Sequence, residues 1–164
     1  WMRLQPPQDS NWHDLIKTVT LPDNMLVYCR FKHTQHIGNT TADNPRFVFA
    51  ISDDARNNVN YLNMEVDNGT VHISAARIDG GSYAEIVRTT DVDSQGQAIE
   101  YLALHKVGDT YHYWAGTESN WIYMAGYPNV YTPTNVYIGV HTDTQDHIFG
   151  LDFIRFIETD VFPF

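Results

Sequence analysis

No stretch of this chain sustains the three-and-four apolar spacing of a helix. Short alternations of apolar and polar residues recur instead, broken by Gly, Asn, Asp and Pro. Alternation with a period of two gives each segment one face to bury, and such faces are buried by packing two sheets against each other. The pattern predicts an all-β protein, a two-sheet antiparallel β-sandwich. Strands are expected at about residues 24–33, 46–52, 59–67, 70–78, 83–90, 98–107, 110–116, 136–142 and 150–158. With 164 residues, the chain is long enough for one core without disulfides or metals as staples.

Two hairpins can be read in register. In "YLNMEVDNGTVHISA" the pair Asn68-Gly69 is a strong two-residue turn signal. Asp67 then faces Thr70, Glu65 faces His72 and Asn63 faces Ser74, while Met64 with Ile73 and Val66 with Val71 point to the core. In "AIEYLALHKVGDTYHYWAG" the turn is Gly108-Asp109, which sets His105 opposite His112, Leu104 opposite Tyr113 and Ala103 opposite Trp114. Leu102 and Leu104 mark the buried side, so Tyr111 and Tyr113 go inward. Tyr101, His105, His112 and Trp114 go outward.

The stretch "LHKVGDTYHYWAGTESNWIYMAG" resembles the strand, turn, aromatic strand and Trp-ending loop of concanavalin A-like lectin/glucanase sandwiches. "NVYIGVHTDTQDHIFGLDFIRF" is similar to the same superfamily's closing strand pair, and "RFVFAISDDARNNVNYLNMEVDNG" to the strands before its Asn-Gly turn. Through its ending "LDFIRF" the chain also resembles calcium-containing jelly-roll carbohydrate-binding modules. The resemblance implies a jelly roll over about residues 24–158 and recognition of a polysaccharide or oligosaccharide. Through the jelly-roll resemblance Asp152 is a weak candidate for a structural calcium; as residue types, Asp143, Asp146 and His147 in the loop "HTDTQDH" and Asp53, Asp54 and Asn57 in the loop "SDDARNN" are weak metal candidates too. The other reading of these aspartates is a polar loop without metal, because a hard cation needs six or more oxygens. No other cofactor is implied.

Catalysis is not expected. Hydrolases of the resembling superfamily carry Glu-x-Asp-x-x-Glu on one strand, and the nearest match here, beginning at Glu65, ends in Thr70 with a turn where the strand should continue. A retaining glycosidase needs two carboxyls about 5 Å apart. Lyases on this fold need a basic cleft for uronates, and ten Lys plus Arg dispersed among 20 Asp plus Glu, a formal charge of −10, make one hard to assemble. That charge also argues against nucleic acid as a partner. No apolar run approaches the roughly 18 residues of a membrane helix. The single cysteine, Cys29, falls at an alternating apolar position and reads as a small buried residue.

The outward face of the 98–116 hairpin supplies the candidate site: Trp114, His112, His105 and Tyr101. Tyr137 and His141 extend it if their strand joins the same sheet. Sugar rings stack their C–H faces on Trp and Tyr while imidazoles bond hydroxyls. The competing reading covers these residues with another segment, such as 117–135, with Trp121 packing at the sandwich edge. Tyr61, Asn63 and Glu65 form a second outward stripe, the next candidates should the site lie on the other sheet. The expectation is therefore a non-catalytic carbohydrate-binding module, residues 1–164, of a larger extracellular or cell-surface protein, bacterial rather than eukaryotic, with neighbouring domains of the same chain as further partners. The alternatives are an adhesion or structural module, and a small glycoside hydrolase or lyase.

Overall fold

A computed structural model of the chain describes residues 1–4, 13–36, 46–67, 70–91, 96–141 and 147–164. They contain twelve strands and no helix: β1 (Met2–Leu4), β2 (His13–Thr18), β3 (Asn24–His36), β4 (Arg46–Ser52), β5 (Val59–Asp67), β6 (Thr70–Asp79), β7 (Ser82–Thr90), β8 (Tyr101–Val107), β9 (Thr110–Gly116), β10 (Trp121–Pro128), β11 (Asn135–His141) and β12 (His147–Glu158). They form two six-stranded sheets. One, here sheet A, runs β1-β12-β3-β8-β9-β10, and the other, sheet B, runs β2-β11-β4-β5-β6-β7. All neighbours are antiparallel. The all-β sandwich expected from the sequence is the fold.

Both hairpins hold the expected register. Glu65 faces His72 and Asp67 faces Thr70; His105 faces His112 and Ala103 faces Trp114. Asn68 and Gly69 lie outside the described residues, but the Asp67–Thr70 pair closes β5 and β6 around them. Gly108 takes φ of 56°, a left-handed conformation that a side chain would strain.

The core follows from the alternation. Val27, Cys29, Phe31, Leu102, Leu104, Tyr111, Tyr113 and Phe149 come from sheet A and meet Phe47, Phe49, Ile51, Leu62, Met64, Ile73 and Ile138 from sheet B, all buried. Phe31 stacks on Phe47 across the interface at 4.9 Å between ring centroids. Cys29 is fully buried as expected, and burial pushes its thiol pKa far up. Inside this apolar layer lies one polar network. Tyr113 Oη donates to Asn60 Oδ1 at 2.5 Å, Asn60 Nδ2 donates to Tyr131 Oη at 3.1 Å, and Tyr131 Oη donates to the Ile51 carbonyl at 2.9 Å.

Three strands lie outside the sequence expectation. β1 has three residues, and β2 at the rim of sheet B exposes Leu15 and Ile16 on opposite sides, which hides its alternation. β10 reads as a loop because a register shift between Tyr123 and Ala125 breaks its period. It is an edge strand, where Pro128 is tolerated.

Candidate functional site

The hairpin β8–β9 delivers Tyr101, His105, His112 and Trp114 to the outer side of sheet A, but that side is not open. The segment after β12 folds back over it. Phe162 stacks on Trp114 with centroids 3.9 Å apart and planes at 9°, and Phe164 stacks on Trp121 at 5.3 Å and meets Tyr28 edge-on. Tyr101 and His105 keep 8% and 3% of their exposure. The His105 Nε2 lies 3.0 Å from the Thr159 carbonyl, which fixes where the segment begins to turn back. Here the covered reading describes the face: the C-terminal segment covers it together with Trp121 and Tyr123 of the 117–135 segment, whose rings lie 5.6 Å from Tyr101 and 4.8 Å from Trp114. Trp121 packs there on edge strand β10, as expected.

His112 sits at the margin of this layer, its Nδ1 3.2 Å from the Tyr123 hydroxyl. Burial, and then the neighbouring His105, lower its pKa from 6.5. The unfolded chain therefore binds this proton more readily than the folded one, and stability should be lost as pH falls through and below the ordinary imidazole range. Thermal melts at about pH 8 and about pH 5 should show a fall that His112→Gln makes shallower; an identical fall in the variant would remove His112 as a cause.

Tyr137 and His141 do not extend this face. Their strand, β11, pairs with β2 and β4 in sheet B, so the six candidates divide between opposite sides of the sandwich. Tyr137 instead joins part of the second outward stripe. On the outer side of sheet B a cleft of about 540 Å³ is lined by Tyr61, Tyr83, Tyr137, Asn63, Arg46, Arg56 and Asp14 above a floor of Val48, Val59 and Ile78. The alternation that buries Leu62 and Met64 turns Tyr61, Asn63 and Glu65 to this side. Tyr83 enters from β7, 60% exposed, its ring 6.4 Å from that of Tyr61. His141 stands opposite Arg46 at the end of β11.

Arg56 reaches the cleft by local strain. It has φ of +54° in the β4–β5 loop, which costs about 1–3 kcal/mol for a residue with a side chain. The loop imposes it: Asp53 Oδ1 accepts from the Asn57 amide and Oδ2 from Asn58 Nδ2, and the Gly81 amide donates to the Asn57 carbonyl. The guanidinium then donates to Asp14 Oδ2 at 2.6 Å and lies 4.8 Å from the centre of the Tyr137 ring. Burial pushes the Tyr137 phenol up to about 12, partly offset by Arg56, and raises Tyr61 further. Both hydroxyls keep their protons at neutral pH. Asn63 is 4% exposed, and its Oδ1 has no hydrogen-bond partner among the described residues. A buried acceptor without a partner costs about 1–3 kcal/mol, and this one belongs to a residue lining an open cleft.

Glu65, on the same stripe, is held between two arginines. Arg88 lies 2.6 Å from one carboxylate oxygen and Arg46 3.6 Å from the other. Of the proposed metal ligands, Asp152 sits at a bulge of β12 and faces Arg30 at 3.6 Å. A guanidinium beside that carboxylate opposes a calcium ion, so Asp152 does not fit one. Asp143 and Asp146 lie outside the described residues. Asp53 and Asp54, in the other polar loop, accept hydrogen bonds from Asn57, Asn58, Thr134 and Asn135. Among the described residues, no group of three His, Cys, Asp or Glu side chains is arranged to hold a metal.

Arg46, Arg56, Asp14 and Tyr83 escaped the sequence reading because they come from four separated segments. The usable signal was Tyr61 and Asn63 on one face of a hairpin whose register was known.

No protein-family model matches the sequence, and no curated protein matches it. Solved structures do. The carbohydrate-binding module CBM66 from Bacillus subtilis superposes with a TM-score of 0.61 at 12% identity over 93% of this chain and 84% of its own. A mutant of the GH43 protein BlXynB from Bacillus licheniformis gives 0.61 at 8% identity over 84% of this chain, which spans only 28% of that protein's length. Sheep galectin-11, in complex with glycerol, gives 0.53 at 11% identity over 87% of this chain and 96% of its own. At such identities the likeness shows the fold alone, a two-sheet β-sandwich.

Proposed function

We propose that this chain is a non-catalytic carbohydrate-binding module of an extracellular or cell-surface protein, and that the sugar occupies the cleft on sheet B. The observation that carries the reading is the cleft itself, walled by Tyr61, Tyr83 and Tyr137 with Asn63, Arg46, Arg56 and Asp14 among its lining residues. A sugar matches both kinds of lining, with a C–H face that packs on phenol rings and hydroxyls that pair with the polar side chains. The cleft volume falls within the usual range for a small-ligand site. Two of the fold neighbours, a carbohydrate-binding module and a galectin, agree with the reading. Binding without chemistry is favoured over hydrolysis because both oxygens of Glu65 face arginines.

Titration of the chain against a polysaccharide panel tests this. Binding is expected, weakened at least about tenfold in Tyr83→Ala, roughly the loss of one ring contact of about 1.5 kcal/mol. Tyr83 is largely exposed, so circular dichroism should find the fold intact. No binding to any glycan would overturn the proposal, and release of reducing sugar would overturn its non-catalytic part.

The alternative, a module that packs against a neighbouring domain, is favoured by the exposed Leu15 and Ile16 of edge strand β2.

A further inference from the structure

The cleft holds more hydrogen-bond donors than acceptors. Arg46 and Arg56, which only donate, ring it with three phenols, which both donate and accept. The carboxylate among its lining residues, Asp14, is engaged by Arg56, and Glu65 beside it is engaged by Arg88 at 2.6 Å. Among the described residues, Arg46 has one long ion pair, Nε to Glu65 Oε2 at 3.6 Å, and its side chain is 36% exposed. Its two terminal nitrogens carry the donor fork that matches a carboxylate or sulfate. Neutral sugar hydroxyls are served by a mixture of donors and acceptors. A donor-rich wall with a half-engaged guanidinium is served by an acceptor-rich ligand.

We infer that the cleft selects a sugar unit bearing an anionic substituent, a carboxylate or a sulfate ester, bound by Arg46 while the ring packs on the tyrosines. This rests on the carbohydrate-binding reading above. The chain as a whole carries a formal charge of −10 and repels acidic polymers at long range. Preference for an anion is therefore not a general electrostatic effect, and it reports the cleft.

The test compares each acidic polysaccharide with its own neutral form. Titrations use polygalacturonate, alginate and hyaluronan beside their carboxyl-reduced counterparts, and chondroitin sulfate beside its desulfated counterpart. At least one acidic polymer should bind at least tenfold tighter than its neutral form, and the pair in which this occurs separates carboxylate from sulfate. Arg46→Gln should erase the difference, whereas Arg155→Gln, exposed on the other sheet, should keep it. Arg46→Gln should fold, because Glu65 retains Arg88; a thermal melt checks this, and Arg46→Lys, which keeps the charge without the fork, should recover part of the preference. Equal binding to charged and neutral forms, or binding to neutral glycans only, overturns this inference and leaves carbohydrate binding standing. Failure to bind any glycan, neutral or acidic, overturns both.

Discussion

Asn60→Ala should cost about 3 kcal/mol of stability and lower the melting temperature by about 9 °C, because a small change in one buried amide unmakes several hydrogen bonds at once. Asn60 belongs to β5 of sheet B, and Tyr113, which donates to its Oδ1, belongs to β9 of sheet A. The bond thus crosses the sandwich. The amide nitrogen donates to Tyr131, and Asn129 adds a longer contact to Oδ1 at 3.5 Å. Tyr113 and Asn60 have no exposure, so the orphaned Tyr113 hydroxyl has no path to bulk water. Its full desolvation penalty then appears. Tyr113→Phe deletes one donor and leaves Asn60 its bond to Tyr131, so it should cost only about 1 kcal/mol. Chemical denaturation of the two single variants and the double variant measures the coupling. An Asn60→Ala protein within about 1 kcal/mol of the parent would mean that the network relaxes and that the sheets are held by apolar packing alone.

The second large effect is expected at the other end of the chain. Phe162→Ala removes the ring stacked on Trp114 and loosens contacts to Trp121 and Phe164. A ring only part-buried at the surface is worth less than the 3–5 kcal/mol of a core phenylalanine; about 2 kcal/mol is expected. The clearer signal is optical. Tryptophan emission should shift to the red and become more accessible to acrylamide, since Trp114 and Trp121 lose their cover. An unchanged spectrum would show that the segment does not shield them in solution. Glycan binding should be unaffected, because the proposed cleft is on sheet B. If uncovering Trp114 instead creates or strengthens glycan binding, the sugar site is the face of Tyr101, His105, His112 and Trp114 first expected from the sequence.

Local order was readable and long-range order was not. The placement of Tyr111 and Tyr113 inward, and of Glu65 against His72, follows from a turn of known length and a period of two, which involve residues close along the chain. Nothing of that kind places β11. Its neighbours are β2 and β4, far away in sequence, and Tyr137 went to the opposite sheet from the one where it was sought. The Phe162 cover is equally illegible: Phe162 and Phe164 lie in a segment with no strand period, and their partner face becomes visible only once β8, β9 and β10 stand side by side. Arg56 illustrates a third limit. Its direction depends on a left-handed backbone conformation imposed by Asp53 and Asn57, whereas residue type alone would favour Asn or Gly there.

Strand order also sets a timetable. β11 lies between β2 and β4, and β12 between β1 and β3, so the two strands that come latest in this sequence are interior to their sheets. While a ribosome is still making them, the earlier strands have their hydrogen-bonding edges and apolar faces in place with nothing to receive them. Hairpins such as β5–β6 and β8–β9 can form early, but closure of either sheet waits for residues 135–158 to emerge. Closure of each sheet then follows the hairpins rather than accompanying them, and until residues 135–158 are available the earlier strands are open to mispairing.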